Sequence, residues 1–405
     1  MAGPLSHIRV LDLSRVMAGP WAGQLLSDLG ADVVKVERPG VGDETRAWGP
    51  PFLKGRDGKD TGESGYFLCT NRAKRSLTLD LTKQEGQEIV RKLAARSDIL
   101  LENFKVGTLA RYGLAYSDLK EANPRLIYCS LTGFGQTGPR STSVAYDFMI
   151  QAMGGLMSIT GEEDGKPGGG PQKVGVPIVD LMTGMYAAVS VLAALSHREV
   201  SGRGDYIDLS MLDVQSAMLA NQAMNYLLTG RAPRRYGNGH PNIMPQQVFE
   251  CRDGRIVLAV GNDGQYAKLC KVLKHPDLDD ARYVRNEGRV RNRDELLPLL
   301  ARIFAERDRT ELLDELERVG VPAGPINSVP EMFEDPQAKH RGLLVDMDHP
   351  LSDELRQVAN PMRFTESTIV HDRHPPLLGE HTSELLHELG FDDAAIDNLK
   401  RTGVV

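Results

Sequence analysis

The chain is poor in the residues that mark several classes of protein. Four cysteines, Cys69, Cys129, Cys251 and Cys270, are spread over 405 residues. They form no CxxC pair and no metal-ligand spacing, so they read as reduced thiols of a cytoplasmic protein, and neither a disulfide framework nor a bound metal is expected. Positive charge is not in excess. A net charge of −7 argues against nucleic-acid binding, which needs a basic surface. No apolar run approaches the roughly 20 residues that span a bilayer, so no membrane association is expected. The opening residues, MAGPLSHIRVLDLS, lack the apolar region of a signal peptide and the arginines of a transit peptide. No internal repeat is found, and GKPGGGP alone is compositionally biased.

What is present describes a globular protein with ample core: 41% hydrophobic and 25% charged residues. The length suggests two domains. HIRVLDLS (7–14) is a short β-branched apolar run and reads as a strand. A glycine turn, the helical spacing of WAGQLLSDLG (21–30) and a second strand, ADVVKVE (31–37), complete a βαβ unit. Strands over 75–81, 98–104 and 125–135 continue the pattern, with a helix over 83–97. The fold class is therefore α/β, a Rossmann-like parallel-sheet large domain plus a smaller α+β domain. Its binding edge is expected at the strand C-termini. The large domain takes residues 1–204 and the C-terminal 329–405, which includes a return linker. A linker helix spans 205–229 and a small domain 230–328. VFECRDGRIVLAV (248–260) reads as a hairpin turning at Asp253-Gly254, and the helix in HTSELLHELG as capped by Thr382 or Ser383.

The first βαβ unit invites a dinucleotide reading, but residues 18–23 are A-G-P-W-A-G rather than G-x-G-x-x-G. Pro20 also removes an amide that would face a pyrophosphate. Arg38, after Glu37, suits a ribose phosphate better than a free hydroxyl, so NADP and coenzyme A both stay open. Basic residues recur near successive strands: Arg72, Lys74 and Arg75 in NRAKRS, then Lys105 and Arg111 beside Asn103 and Phe104 in ENFKVGTLARYG. In an acidic chain, such clusters point to phosphate recognition.

VGVPIVDLMTG (174–184) places Asp180 alone inside an apolar run. A carboxylate there loses hydration and resists ionising unless something compensates. Read from its neighbours alone, such an acid is a helix N-cap or a buried acid hydrogen-bonded to backbone.

Taken in order, these segments resemble the class III CoA-transferases, the CaiB/BaiF family, nearly end to end. The resemblance runs from VLDLSRVMAGPWAGQLLSDLGADVVKVERPGVGDETR through ENFKVGTLARYGL, SLTGFGQTGP, YDFMIQAMGGLMSITG, VGVPIVDLMTG and GRGDYIDLSMLD to GVPAGPIN and PPLLGEHT. TRAWGPPF, RRYGNGHPNIMP and QQVFECRDG are similar to the branch that uses succinyl-CoA with small dicarboxylates such as glutarate or itaconate. The resemblance implies coenzyme A as cosubstrate, carried as an acyl-CoA, and Asp180 as a nucleophile passing through a mixed anhydride and an aspartyl-CoA thioester. That role needs a dry, oriented carboxylate and makes amides near Gly175 or Gly184 candidates for holding the oxyanion. It places Val16, Met17 and Ala18 along the thioester, and Arg38, Asn103, Phe104 and Arg111 against the nucleotide or pantetheine. Met17 stands where formyl-CoA transferases carry glutamine, which argues against formyl or oxalyl chemistry. Gly237, Gly239 and His240 of GNGH are the nearest equivalent of a glycine lid. Arg46, Arg72, Arg234 and Arg235 are candidates for the far carboxylate, and Tyr146 for a hydrogen bond at the reacting centre. The family's subunits are open rings threaded into an interlocked homodimer. Three rival readings remain: an α-methylacyl-CoA racemase, which uses histidine where Tyr146 stands, an NADP oxidoreductase, and a CoA-binding module without catalysis.

Overall fold

A computed structural model of the chain describes residues 2–370 and 373–405. It divides into two compact units, Met1–Gly155 with Val174–Met224 and Pro336–Val405, and Leu156–Lys173 with Asn225–Asp335.

The first unit is built on six parallel strands: β1 (Arg9–Asp12), β2 (Asp32–Glu37), β3 (Arg75–Thr78), β4 (Ile99–Glu102), β5 (Ile127–Thr132) and β6 (Tyr206–Ser210). Their spatial order is β3-β2-β1-β4-β5-β6, all parallel. This is the doubly wound order of dinucleotide-binding folds, whose direction reverses between β1 and β4. Because side chains alternate along a strand, each face builds its own core. Val10, Val33, Ile99 and Ile127 pack on one side with Ala22 and Leu26 of α1 (Ala18–Asp28). Leu11, Val34, Leu100 and Tyr128 pack on the other, with Ile89 and Leu93 of α2 (Gln84–Ala94). The strands and the second helix read from the N-terminal sequence are present, shorter at their ends by a few residues, while the first helix starts three residues earlier than read, at Ala18.

Further along lie α3 (Asp147–Met153), α4 (Ile178–Ser201) and α5 (Met211–Met218). α4 corrects one expectation. Its 24 residues are long and apolar enough to cross a membrane, by length and composition alone. Ala187, Val191, Ala194 and Leu195 of this helix pack into the sheet core beside α1, which accounts for part of the apolar composition, while Met185, Tyr186 and Val189 of the same helix stay exposed. The helix read over 205–229 is corrected too. It begins with β6, where Ile207 and Leu209 turn inward, and then breaks between Met211–Met218 and Ala220–Thr229 at Ala220, which has φ 41°.

The second unit carries a three-stranded antiparallel sheet of β7 (Gln246–Cys251), β8 (Gly254–Ala259) and β9 (Ala323–Pro325), in the order β9-β8-β7. Cys251 pairs with Gly254, so the turn residues are Arg252 and Asp253, one position earlier than expected. Phe249 and Phe304 stack at 4.4 Å in its core. In the first unit, Thr382 starts its helix without capping it, because its hydroxyl accepts from the Thr78 amide on β3 at 3.1 Å.

Candidate active site

A cavity of about 290 Å³ opens at the C-terminal ends of β1, β4 and β5. Its walls include Arg15–Ala18 after β1, Asn103–Val106 after β4, Thr132 at the end of β5 and Gly133 after it, and Asp180. That is the reversal point of the strand order, where an open parallel sheet leaves a crevice between diverging connections. A second cavity, about 380 Å³, lies over β2 and β3, with Arg38, Gly42 and Leu79–Thr82 in its walls. Arg15 and Phe104 line both. The Arg15 guanidinium sits 5.1 Å from the Phe104 ring centre.

Asp180 stands in the first turn of α4. Pro177 precedes that helix and offers no side-chain cap, so the opening amides need an acceptor from elsewhere. Asp147, the first residue of α3, supplies it. Its Oδ2 accepts from the Val179 amide at 2.7 Å and the Asp180 amide at 3.3 Å. Its Oδ1 accepts from Gln151 Nε2 at 2.6 Å, and Gln151 Oε1 accepts from the Val174 amide at 2.9 Å. Ile150, Val179 and Met211 close beneath as a small core. The carboxylate of Asp180 accepts no hydrogen bond and forms no ion pair among the described residues. Loss of hydration, and then the charge of Asp147, push its pKa from 3.8 up to about 7.

The opposite wall is the start of α1. Gly184 lies one turn after Asp180 and touches this helix: a Cβ there would stand 2.6 Å from the Ala18 carbonyl oxygen. Only glycine lets the two helices approach this closely. Gly184 therefore serves packing, and inside α4 its amide belongs to the helix ladder rather than to an oxyanion. The first turn of α1 also borders the cavity. Met17 precedes it without a side-chain cap, and Val16, Met17 and Ala18 line the cavity with Asp180.

The sequence-predicted residues divide in two. Val16, Met17, Ala18, Asn103, Phe104, Tyr146 and Asp180 come together around the smaller cavity, and Arg38 is exposed at the larger one. The Asn103 side chain is spent on the loop itself, accepting from the Arg15 amide at 2.9 Å and donating to its carbonyl at 2.7 Å. Arg111 is exposed and lines neither cavity.

The cluster before β3 is a correction. Arg72 is buried on Asp28 at 2.7 and 2.8 Å, Lys74 on Asp12 at 2.9 Å, and Arg75 among Asp32, Glu384 and Glu388. Arg72 and Lys74 precede the strand and Arg75 opens it, and the parallel register puts Arg75 beside Val34, toward the strand starts. Arg46 is likewise buried. It clasps Glu37 at 2.8 Å through two nitrogens, reaches Glu63 at 3.1 Å, and lies 3.6 Å over the Phe67 ring. None of these four cations is free for a substrate carboxylate.

Gly237, Gly239 and His240 belong to the second unit. There Gly237 adjoins Glu162, and Gly239 adjoins an Arg293 that donates to the His240 carbonyl. Burial, then Arg293, lower the His240 pKa. Arg235 pairs with Asp164, and Arg234 is exposed over Tyr236 at 4.7 Å.

Sequence reasoning missed Asp147, Gln151 and Tyr66. Asp147 and Gln151 are four apart, a spacing that puts both on one helix face and could have flagged them. Tyr66 lies edge-on to Trp48 at 5.0 Å. Burial, followed by the charge of Asp180, pushes its hydroxyl up to about 12, so it stays protonated and able to donate.

A family model described as CoA-transferase family III matches residues 5–382. A succinate–glutarate CoA-transferase of Agrobacterium fabrum is 49% identical over 95% of this chain and 96% of its own. The human succinyl-CoA:glutarate CoA-transferase is 43% identical over 99% of this chain and 90% of its own. A crystal structure of a CaiB/BaiF family protein from Brucella suis superposes with a TM-score of 0.83 at 46% identity, covering 96% of this chain and all of that one.

Proposed function

Because the chain belongs to the CoA-transferase family III, and is an enzyme that uses an acyl-CoA as cosubstrate, we propose that it moves CoA from succinyl-CoA to a small dicarboxylic acid through Asp180. Glutarate is the first acceptor to test, on the strength of relatives named for it, and itaconate the second.

In this reading an Asp180 oxygen attacks the thioester carbonyl, and the C–S bond breaks to give a mixed anhydride and the CoA thiolate. The thiolate then attacks the aspartyl carbonyl, releasing succinate and leaving an aspartyl-CoA thioester. The acceptor carboxylate attacks that thioester and displaces the thiolate. The thiolate finally takes the acceptor acyl group and restores the Asp180 carboxylate. No net proton or electron is exchanged. Dry surroundings keep water from the anhydride. In this reading the oxyanion is met by amides at the start of α1, a helix start that has no side-chain cap and borders the cavity. The larger cavity, with Arg38, takes the phosphorylated adenosine, and Phe104 marks the passage between the two.

One observation carries the reading: a carboxylate without partners among the described residues, its pKa pushed up to about 7, lining a cavity at the sheet's reversal point. The second subunit of a homodimer accounts for the apolar side chains left bare on α3 and α4, with Phe148 57% and Val189 58% exposed. Interlocked rings are the form we expect for it. Free cysteines, one of them exposed, fit a cytoplasmic enzyme.

The test has two arms. Succinyl-CoA with glutarate should yield glutaryl-CoA, and hydroxylamine added during turnover should modify the Asp180 peptide, read by mass. Turnover with the adduct on another residue, or none, would overturn the role of Asp180.

A further inference from the structure

We propose that Asp43 is a positioning residue for the reaction, acting through the backbone of Val16. The inference rests on the reading of Asp180 as nucleophile, since Val16 opens the wall that faces it.

Val16 has φ 72°, in the left-handed region. For a β-branched residue that conformation is a rare outlier, kept only where the surroundings over-determine it. Here they do. The Val16 amide donates to both carboxylate oxygens of Asp43, each at 3.2 Å. The residue before it is clamped at its amide and carbonyl by Asn103. One residue earlier, the Ser14 carbonyl accepts from Lys35 Nζ at 2.9 Å. Three side chains from three segments thus hold three consecutive residues, and the chain leaves them directly into Met17 and Ala18 at the cavity.

Asp43 is itself aimed. Lys35 Nζ pairs with it at 2.9 Å, and both side chains are fully buried. Its Oδ1 accepts from the Thr45 amide at 3.0 Å and the Thr45 hydroxyl at 2.8 Å. Its own amide donates to Glu37 at 3.0 Å, and Glu37 is gripped by Arg46. A buried ion pair adds little net stability. What this one supplies is a fixed acceptor under a strained amide. Lys35 joins the two halves of the device, touching Ser14 on one side and Asp43 on the other. Displacing such a segment by about 1 Å costs on the order of a hundredfold in rate.

The test is a double-mutant cycle on the full-length enzyme. Asp43→Asn keeps the shape and loses one acceptor oxygen. It should lower kcat by about ten- to a hundredfold with the KM for succinyl-CoA changed less than about threefold. Val16→Gly takes positive φ without steric cost. In that background Asp43→Asn should lower kcat by less than about threefold, because no strain is left to hold. Should Asp43→Asn not fold, Thr45→Val, which removes one bond aiming the carboxylate, should show a smaller loss with the same dependence on Val16. Equal losses in both backgrounds, or an unchanged kcat in folded Asp43→Asn protein, would overturn the role of Asp43 alone. Absence of CoA transfer in the wild-type enzyme would instead remove the functional reading on which it rests.

Discussion

Replacing Asp180 by asparagine should abolish CoA transfer and, at alkaline pH, make the protein more stable. The pKa of Asp180 is raised from 3.8 to about 7, and each unit is worth about 1.4 kcal/mol, so its ionised form penalises the fold by about 4 kcal/mol. Part of the carboxylate faces the cavity and is screened, which brings the figure nearer ~2 kcal/mol. The sign follows from the direction of the shift. An acid whose folded pKa is raised costs nothing below 3.8, where both folded and unfolded chains hold its proton. The cost grows between 3.8 and about 7, as the unfolded chain ionises first, and is complete above about 7. Asparagine has the same shape, carries no charge, and gives up no hydrogen bond that the carboxylate makes among the described residues. Calorimetry at pH 8 should therefore show the variant melting higher by about 2 °C. At pH 4 the two proteins should melt together. A lower Tm for the variant at pH 8, or the same difference at both pH values, would refute a carboxylate held in a dry setting.

The nucleophile must be ionised, so turnover should rise with pH through about 7. Asp147→Asn should move that acid limb to lower pH, because the Asp147 charge raises Asp180, and should cost about 1–2 kcal/mol of stability through the weakened cap; a pH–rate profile and a denaturant titration read the two effects. Gly184→Ala drives a methyl group to 2.6 Å from the Ala18 carbonyl and should cost about 1–3 kcal/mol together with most activity, measured by Tm and kcat. Arg38→Ala should weaken CoA binding in calorimetric titration by about tenfold and dephospho-CoA much less. Arg72→Ala, which strands Asp28 in the core, should leave CoA affinity alone and lower stability by about 3–5 kcal/mol.

Five of the six strands of the large sheet were legible because their signal is local. A period of two, a glycine turn and a helical spacing are all written within a few neighbours, as in HIRVLDLS and ADVVKVE. Asp180 was legible for a similar reason: one acid inside an apolar run announces an unusual environment wherever the run ends up. Charges were not legible in this way. Arg38 at a cavity and Arg72 buried on Asp28 look alike along the chain, since whether a cation is solvated or paired depends on residues far from it in sequence. Arg72 alone meets Asp28, Gln357 and Val358. β6 was read as part of a helix because its five residues adjoin a long helical pattern, and only a free edge beside β5 made it a strand.

The sequence by itself determined the alternating layers and singled out the acid. Tertiary structure decided what surrounds that acid. Asp147 caps a helix that begins 31 residues further along, and Asp43 holds an amide 27 residues before it. Hydrogen bonds and desolvation depend on distance in space, which the order of residues does not record until the chain has folded.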